Sequence, residues 1–241
     1  MASNPSRSAL SLRVSQEDPD PNGDTVLIVI PQKQTGTYTP KVSGILQDES
    51  IFKSQQSTSL ASPQSPSSTV DLLRLDEAVW RFRVSSRHLA LASKYFDQRL
   101  KGCWSDESDI PEKCAMELRI TGADPNAVRI LLNIMHGRSR LVPRRVNLDL
   151  LTELAVLVDY FQCEEAVNAF CEWWMEALKP SIQNTFYQQT VKWIFVSWVF
   201  RNEEIFNTVT RTAQRKGKRD MPTFGIPIPP NIKSKSRYTS F

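Results

Sequence analysis

Three segments carry strand signatures, and all three end by residue 120. Thr25-Val26-Leu27-Ile28-Val29-Ile30 is a continuous β-rich run, which predicts a strand buried on both faces. Trp80, Phe82 and Val84 alternate with Arg81 and Arg83, and Met116, Leu118 and Ile120 alternate with Glu117 and Arg119. A period of two predicts strands with one face on a core and the other toward solvent. Between the last two lies one predicted helix, with Ser85 or Ser86 as N-cap and Leu89, Ala92, Phe96 and Leu100 on its apolar stripe. Everything apolar after residue 120 has helical spacing. One helix opens at Asp124-Pro125 and stops at Gly137, and another opens at Asn147. A third follows Cys163 and ends at Lys179-Pro180, and a fourth is expected over about 186–212. The order strand, long loop, strand, helix, strand, then helices only, predicts an α+β domain with a small sheet.

The segments between these elements set the expected boundaries. Residues 1–22 are polar and Pro/Asp-rich and are expected to form a disordered arm. From Ser54 to Thr69, fourteen of sixteen residues are Ser, Thr, Gln or Pro. Such a stretch buries too little apolar surface to offset its chain entropy. It forms the distal part of an insertion at about 31–69. The folded domain is then expected over 23–179, a helical extension over 180–214, and a basic flexible tail over 215–241.

Composition removes whole classes of chemistry. The eight glycines are never closer than eight positions, so neither a phosphate-binding P-loop nor a dinucleotide fingerprint can be written. The cysteines (Cys103, Cys114, Cys163, Cys171) and histidines (His88, His136) form no close ligand pair, and no metal or cofactor site is expected. Cys163 and Cys171 sit two helical turns apart, too far for a disulfide, and read as buried thiols in a reducing compartment. His88 reads as a hydrogen-bonded structural residue. His136 closes a helix, where a cation suits the helix dipole. Neither completes a nucleophile–base–acid set, so no catalytic residue is assigned and no enzyme is expected. The neighbouring pairs Glu164-Glu165 and Glu203-Glu204 do not converge on one point and read as solvated faces. No segment reaches the ~18–20 apolar residues of a membrane span, and the first residues have no apolar signal core. The chain reads as soluble and intracellular, cytoplasmic or nuclear, without a membrane or small-molecule substrate as partner.

The run Phe82-Arg83-Val84-Ser85-Ser86-Arg87-His88-Leu89-Ala90-Leu91-Ala92-Ser93-Lys94-Tyr95-Phe96 resembles the signature of BTB/POZ domains. There a strand ending in Phe-x-Val enters a helix reading Leu-Ala-x-x-Ser-x-x-Phe. Gly23-Asp24-Thr25-Val26 is similar to the family's first strand, Leu118-Arg119-Ile120 to its next, and Leu131 to Gly137 to the helix that follows. Leu151 to Cys163 resembles its Leu-x-x-Leu-Ala … Asp-x-Tyr-x-Cys helix pair. The resemblance covers about Gly23 to Lys179 and is closest to BTB proteins of filamentous fungi. Those also carry a Ser/Pro-rich insertion, the run Val84 to His88 and a Trp-rich helical extension.

The resemblance implies a BTB/POZ fold, a small mixed sheet flanked by a helical cluster, here with an added C-terminal helical extension. It implies a non-enzymatic protein–protein interaction module, either a homotypic scaffold or a substrate adaptor for a cullin ubiquitin ligase. Asp24 is the remnant of the charged pocket of family dimers. Its usual Lys partner is absent, because Ser85 and Ser86 stand where His-Lys is common. Trp104, Asp106 and Glu107 occupy the region where cullin-binding members carry a hydrophobic-x-Glu element, with Asp106 at the Glu position.

Two C-terminal features remain. Trp193 to Phe200 is apolar nearly all round, so its helix is expected to pack back on the Trp173/Trp174 helix and extend the core; the alternative is a partner-binding face. The net charge of +4 is unevenly placed: residues 201–241 hold nine basic and three acidic side chains, a net +6, and the first 200 residues a net −2. The basic segment of Arg211, Arg215, Lys216, Lys218 and Arg219 contains no stacking aromatic, so a solvated helix end is expected rather than a nucleic-acid surface. The alternative function is a nuclear transcription or chromatin-associated regulator using this segment.

Overall fold

The computed structural model describes residues 14–31, 79–100, 116–184, 187–216, 223–230 and 232. Four strands form one mixed sheet: β1 (Val14–Glu17), β2 (Thr25–Ile30), β3 (Val79–Val84) and β4 (Met116–Thr121), in the order β1-β3-β2-β4. β2 is antiparallel to β3 and parallel to β4, and β1 is parallel to β3. The register puts Leu27 opposite both Phe82 and Leu118, and these three are buried with Val29, Val84 and Ile120 on one face. The outer face of β2 is only partly covered, which corrects the expectation of a strand buried on both sides. It is straddled by an ion pair, Arg81 to Glu117 at 2.7 Å, too exposed to contribute more than about 1 kcal/mol.

β1 corrects the expected disordered arm over 14–22, the part of it that is described. Val14–Glu17 completes the edge of the sheet, and α3 (Pro125–Met135) holds it there. Arg129 of α3 donates through Nε to both carboxylate oxygens of Glu17 at 2.8 and 2.7 Å, and its guanidinium lies 4.9 Å from the centre of the Trp80 ring. Arg129 and Glu17 are more than a hundred residues apart in the chain, so no local window registers the pair.

The predicted first helix is two. α1 (Ser86–Ala92) and α2 (Lys94–Leu100) are separated by Ser93, whose backbone is extended. The Ser93 hydroxyl donates to the Phe161 carbonyl at 2.5 Å and accepts the Phe96 N–H at 3.2 Å, so it caps α2. Leu89, Phe96 and Leu100 are all buried despite the break. α3 follows its signals closely: Asp124 accepts from Asn126 and Ala127 N–H at 2.7 and 3.0 Å, Pro125 opens the first turn, and Gly137 takes a positive φ of 66°. α4 (Leu148–Phe161) is capped by Asn147, and α5 (Glu164–Leu178) runs on into a short 3₁₀ turn, Lys179–Asn184.

The helix expected at about 186–212 is a hairpin of α6 (Tyr187–Val199) and α7 (Glu203–Lys216). Arg201 adopts a left-handed φ of 53°, and the Asn202 side chain accepts the Ile205 N–H at 3.0 Å to start α7. α6 extends the core as expected, but it packs chiefly on α4 and α7 rather than on the Trp173/Trp174 helix. Its residues Val191 to Ser197 are all buried, including Lys192, whose ammonium meets Asp149 of α4 at 2.5 Å. Trp174 is buried with its indole N–H on the Pro143 carbonyl at 2.9 Å, while Trp173 is 61% exposed. The expected flexible tail is also corrected in part, because Ile226, Ile228 and Ile232 join the same continuous core as the sheet and α3 to α7. The chain is irregular over 226–229, where prolines alternate with the isoleucines, yet Ile226 and Ile228 are buried.

Gly23 precedes β2 where β3 passes closely: a Cβ there would lie 2.3 Å from the Val84 carbonyl oxygen. Gly23→Ala therefore forces the backbone of β2 or β3 to move. A loss of about 1–3 kcal/mol in denaturant unfolding is expected. An unchanged midpoint would show that the two strands can part at no cost.

Candidate interaction surface

The start of α1 is built from four elements. Asp24, at the mouth of β2, accepts the Ser86 N–H at 2.7 Å and the Ser86 hydroxyl at 2.5 Å. Ser85 is the N-cap, and its own N–H is donated to His136 Nε2, at the end of α3, at 3.0 Å. Nε2 must then carry a lone pair, which places the proton on Nδ1, 2.8 Å from the Leu132 carbonyl that accepts it. The His88 ring stacks on His136 with centroids 5.1 Å apart.

This geometry corrects both histidine expectations. His136 is not a cation serving a helix dipole. It is a neutral acceptor, and burial, aided by His88 and Arg138, pulls its pKa below 6.5 against the Leu132 carbonyl and Asp20. His88 is exposed and is held by stacking. For Asp24, burial alone would raise the pKa. The hydrogen bonds from the Ser86 side chain and backbone outweigh it and hold the carboxyl below its ordinary value. Asp24 is therefore occupied within one chain, by the residue that stands where a lysine is common in the family.

With its N-terminus pinned, α1 turns Ser86 and Leu89 inward and Arg87, His88 and Leu91 outward. Leu91 is 88% exposed, the most exposed large apolar side chain among the described residues. Trp104, Asp106 and Glu107 lie outside the described residues, as do Lys218 and Arg219. Arg211 and Arg215 are exposed on α7, which Lys216 ends.

A second concavity of about 840 Å³ lies where the ends of α4 and α6 meet the starts of α2, α5 and α7. Val158, Trp198 and Phe206 contribute apolar surface, and Asp159, Glu164 and Glu203 contribute carboxylates. Single-helix periodicity does not reveal it, because it depends on the α6–α7 turn. Cys163 and Cys171 are buried and free, with burial pushing both thiols well above their ordinary pKa, so they are poor nucleophiles. Among the described residues no group of three His, Cys, Asp or Glu side chains could hold a metal ion, and no helix is long and apolar enough to cross a membrane.

Comparison with known families agrees with this architecture. The family model of the BTB/POZ domain matches residues 67–174. The match spans β3 to most of α5 and leaves out β2, although β2 lies between β3 and β4 in the sheet. Residues 67–174 thus carry the signature of a domain class that serves as a protein–protein interaction module and is generally not enzymatic. No curated protein matches the chain.

Two outcomes test the node. Asp24→Asn and Ser86→Ala should each lower stability by about 1–2 kcal/mol, with the double variant costing clearly less than the sum. Additive losses would mean that the two residues act separately. The neutral His136 contributes stability that is complete above about pH 6.5 and declines as the pH falls toward its lower folded value, because the unfolded chain takes the proton more readily. His136→Gln should flatten that slope in denaturant titrations between about pH 7.5 and pH 5.

Proposed function

We propose that the chain is a non-enzymatic interaction module that associates with a second copy of itself through the outer face of α1. The observation that carries this reading is the engagement of Asp24 by Ser86. With the carboxylate satisfied internally, a contact across α1 needs no charged pocket. Leu91 can be buried against its counterpart, with His88 and Arg87 at the edge. An isolated exposed leucine is ordinary on a protein surface. Here it stands on a helix fixed at its N-terminus and backed by the core, so it is presented rigidly, and burying it costs little ordering entropy.

A substrate adaptor for a cullin ubiquitin ligase is the same module with a second contact face. That reading rests on the family resemblance of Trp104, Asp106 and Glu107. Retention of the intact chain on a cullin, lost in Trp104→Ala, is its direct test. Kinship with filamentous-fungal members rests on the Ser/Pro-rich insertion, the Val84 to His88 run and the Trp-rich α6. The nuclear-regulator alternative rests on Arg211 and Arg215, which lie four residues apart on α7 and are both exposed.

Light scattering tests the main reading. The intact chain should run at twice its 27.5 kDa mass, and Leu91→Glu should run as a monomer with unchanged helix content by circular dichroism. A monomeric wild type, or a Leu91→Glu dimer, would remove the α1 contact.

A further inference from the structure

The concavity between α4 and the α6–α7 turn has an apolar floor and a negative rim. Val158 and Phe206 line it with Trp198, which is only half-buried and leans on Phe195 with ring centroids 6.1 Å apart. Of its three carboxylates, Glu164 is engaged by Arg201 at 3.3 Å. Asp159 and Glu203 have no ion pair or hydrogen bond among the described residues, and Lys94 is the remaining cation of the rim. Asp159 is the more telling of the two. Burial, with Glu164 nearby, raises its pKa, so its charge is poorly compensated within the fold. A positive group brought beside it would gain attraction while losing little hydration. A phosphate backbone would meet repulsion instead.

We propose that this groove binds a short cationic segment of a partner protein. An aliphatic or aromatic side chain of that segment rests on Val158, Trp198 and Phe206, and an arginine or lysine within a few residues of it lies beside Asp159 and Glu203. The proposal rests on the interaction-module reading but uses a different face from α1. The groove's volume fits one or two side chains plus their backbone, the scale of a peptide anchor rather than of a domain interface. Specificity comes from the sign of the rim, and affinity from the apolar floor.

The test uses the full chain and a synthetic array of short peptides. Each carries one Arg or Lys two to four residues from a Leu, Phe or Trp, and each is paired with a charge-reversed control in which Glu replaces the basic residue. Fluorescence polarisation should show array members binding at least about ten-fold more tightly than their controls, with the difference shrinking as salt is raised. In ¹⁵N-labelled protein the best peptide should shift the Trp198 indole and the Gln162 and Phe206 amides. Asp159→Lys should weaken it about ten-fold or more, with Asp159→Asn between the two. Asp159 lies at the surface, only partly desolvated, and has no partner among the described residues, so these variants should fold normally, and circular dichroism checks this. No binding by any array member, equal binding of the controls, shifts elsewhere, or an Asp159→Lys variant that binds as well as wild type would each overturn the proposal. Light scattering of Asp159→Lys keeps the two readings apart: a retained dimer with lost peptide binding assigns the effect to the groove. A monomeric wild type that still binds peptide sinks only the α1 contact.

Discussion

The Asp24 carboxylate joins two parts of the chain that are 62 residues apart. One oxygen takes a backbone N–H at the start of α1 and the other takes the hydroxyl of the same residue. The first turn of a helix has N–H groups with no intrahelical partner and a positive dipole end, so an anion is favoured there. Placing that anion at the mouth of β2 fixes β2 against α1 across the long intervening segment. Gly23, one residue earlier, lets the backbone come close enough to Val84 for this to happen. His136 completes the arrangement from α3 by accepting the Ser85 N–H. Sheet, α1 and α3 are thus tied at one point by groups that must all be in the right protonation state.

Ser86 stands where the BTB/POZ signature that this chain resembles commonly has lysine, and it engages Asp24 directly. A lysine at position 86 would hold a cation near Asp24 on a long, mobile stem. A serine gives a short hydroxyl that reaches the carboxylate from within the same turn. The interaction is completed within one chain. The energy involved is about 1–3 kcal/mol for hydrogen bonds to a charged group. The outer face of α1 is left apolar at Leu91.

Much of the fold was legible where the determinant is local. Asp124-Pro125 at one end of α3 and Gly137 at the other supply cap, first turn and stop within fourteen residues. The alternation of β3 and β4 identifies their core faces. What was not legible depends on distant partners. Ser93 breaks the predicted α1 helix because its hydroxyl finds the Phe161 carbonyl, 68 positions away. β1 is ordered by Arg129 and by β3, although its own composition is polar. The α6–α7 turn is an intermediate case. Asn202 followed by Glu203-Glu204 is a helix start in miniature, but the dense apolar run to Phe200 outweighed it. Missing that turn also hid the groove, whose wall is made of residues on both sides of it. At α1, the absence of a lysine was visible, but the capture of Asp24 by Ser86 was not, because both residues already had adequate local roles.

The turn also gives the basic C-terminal signal a structural role. Once α7 is seen to begin at Glu203, its charges are sorted along its axis. Glu203 and Glu204 occupy its first turn, and Arg211, Arg215 and Lys216 lie toward its end. Acids at a helix N-terminus and cations at its C-terminus both oppose the macrodipole. Arg215 and Lys216 are therefore placed where a helix end favours cations, with no nucleic acid required. The same sorting puts the Glu203 carboxylate in the groove that Asp159 also lines, and the cations of α7 two or more turns along its axis. One helix thus gives the surface opposite signs at its two ends. Its basic end, Arg211 to Lys216, is not among the residues that line the cavity.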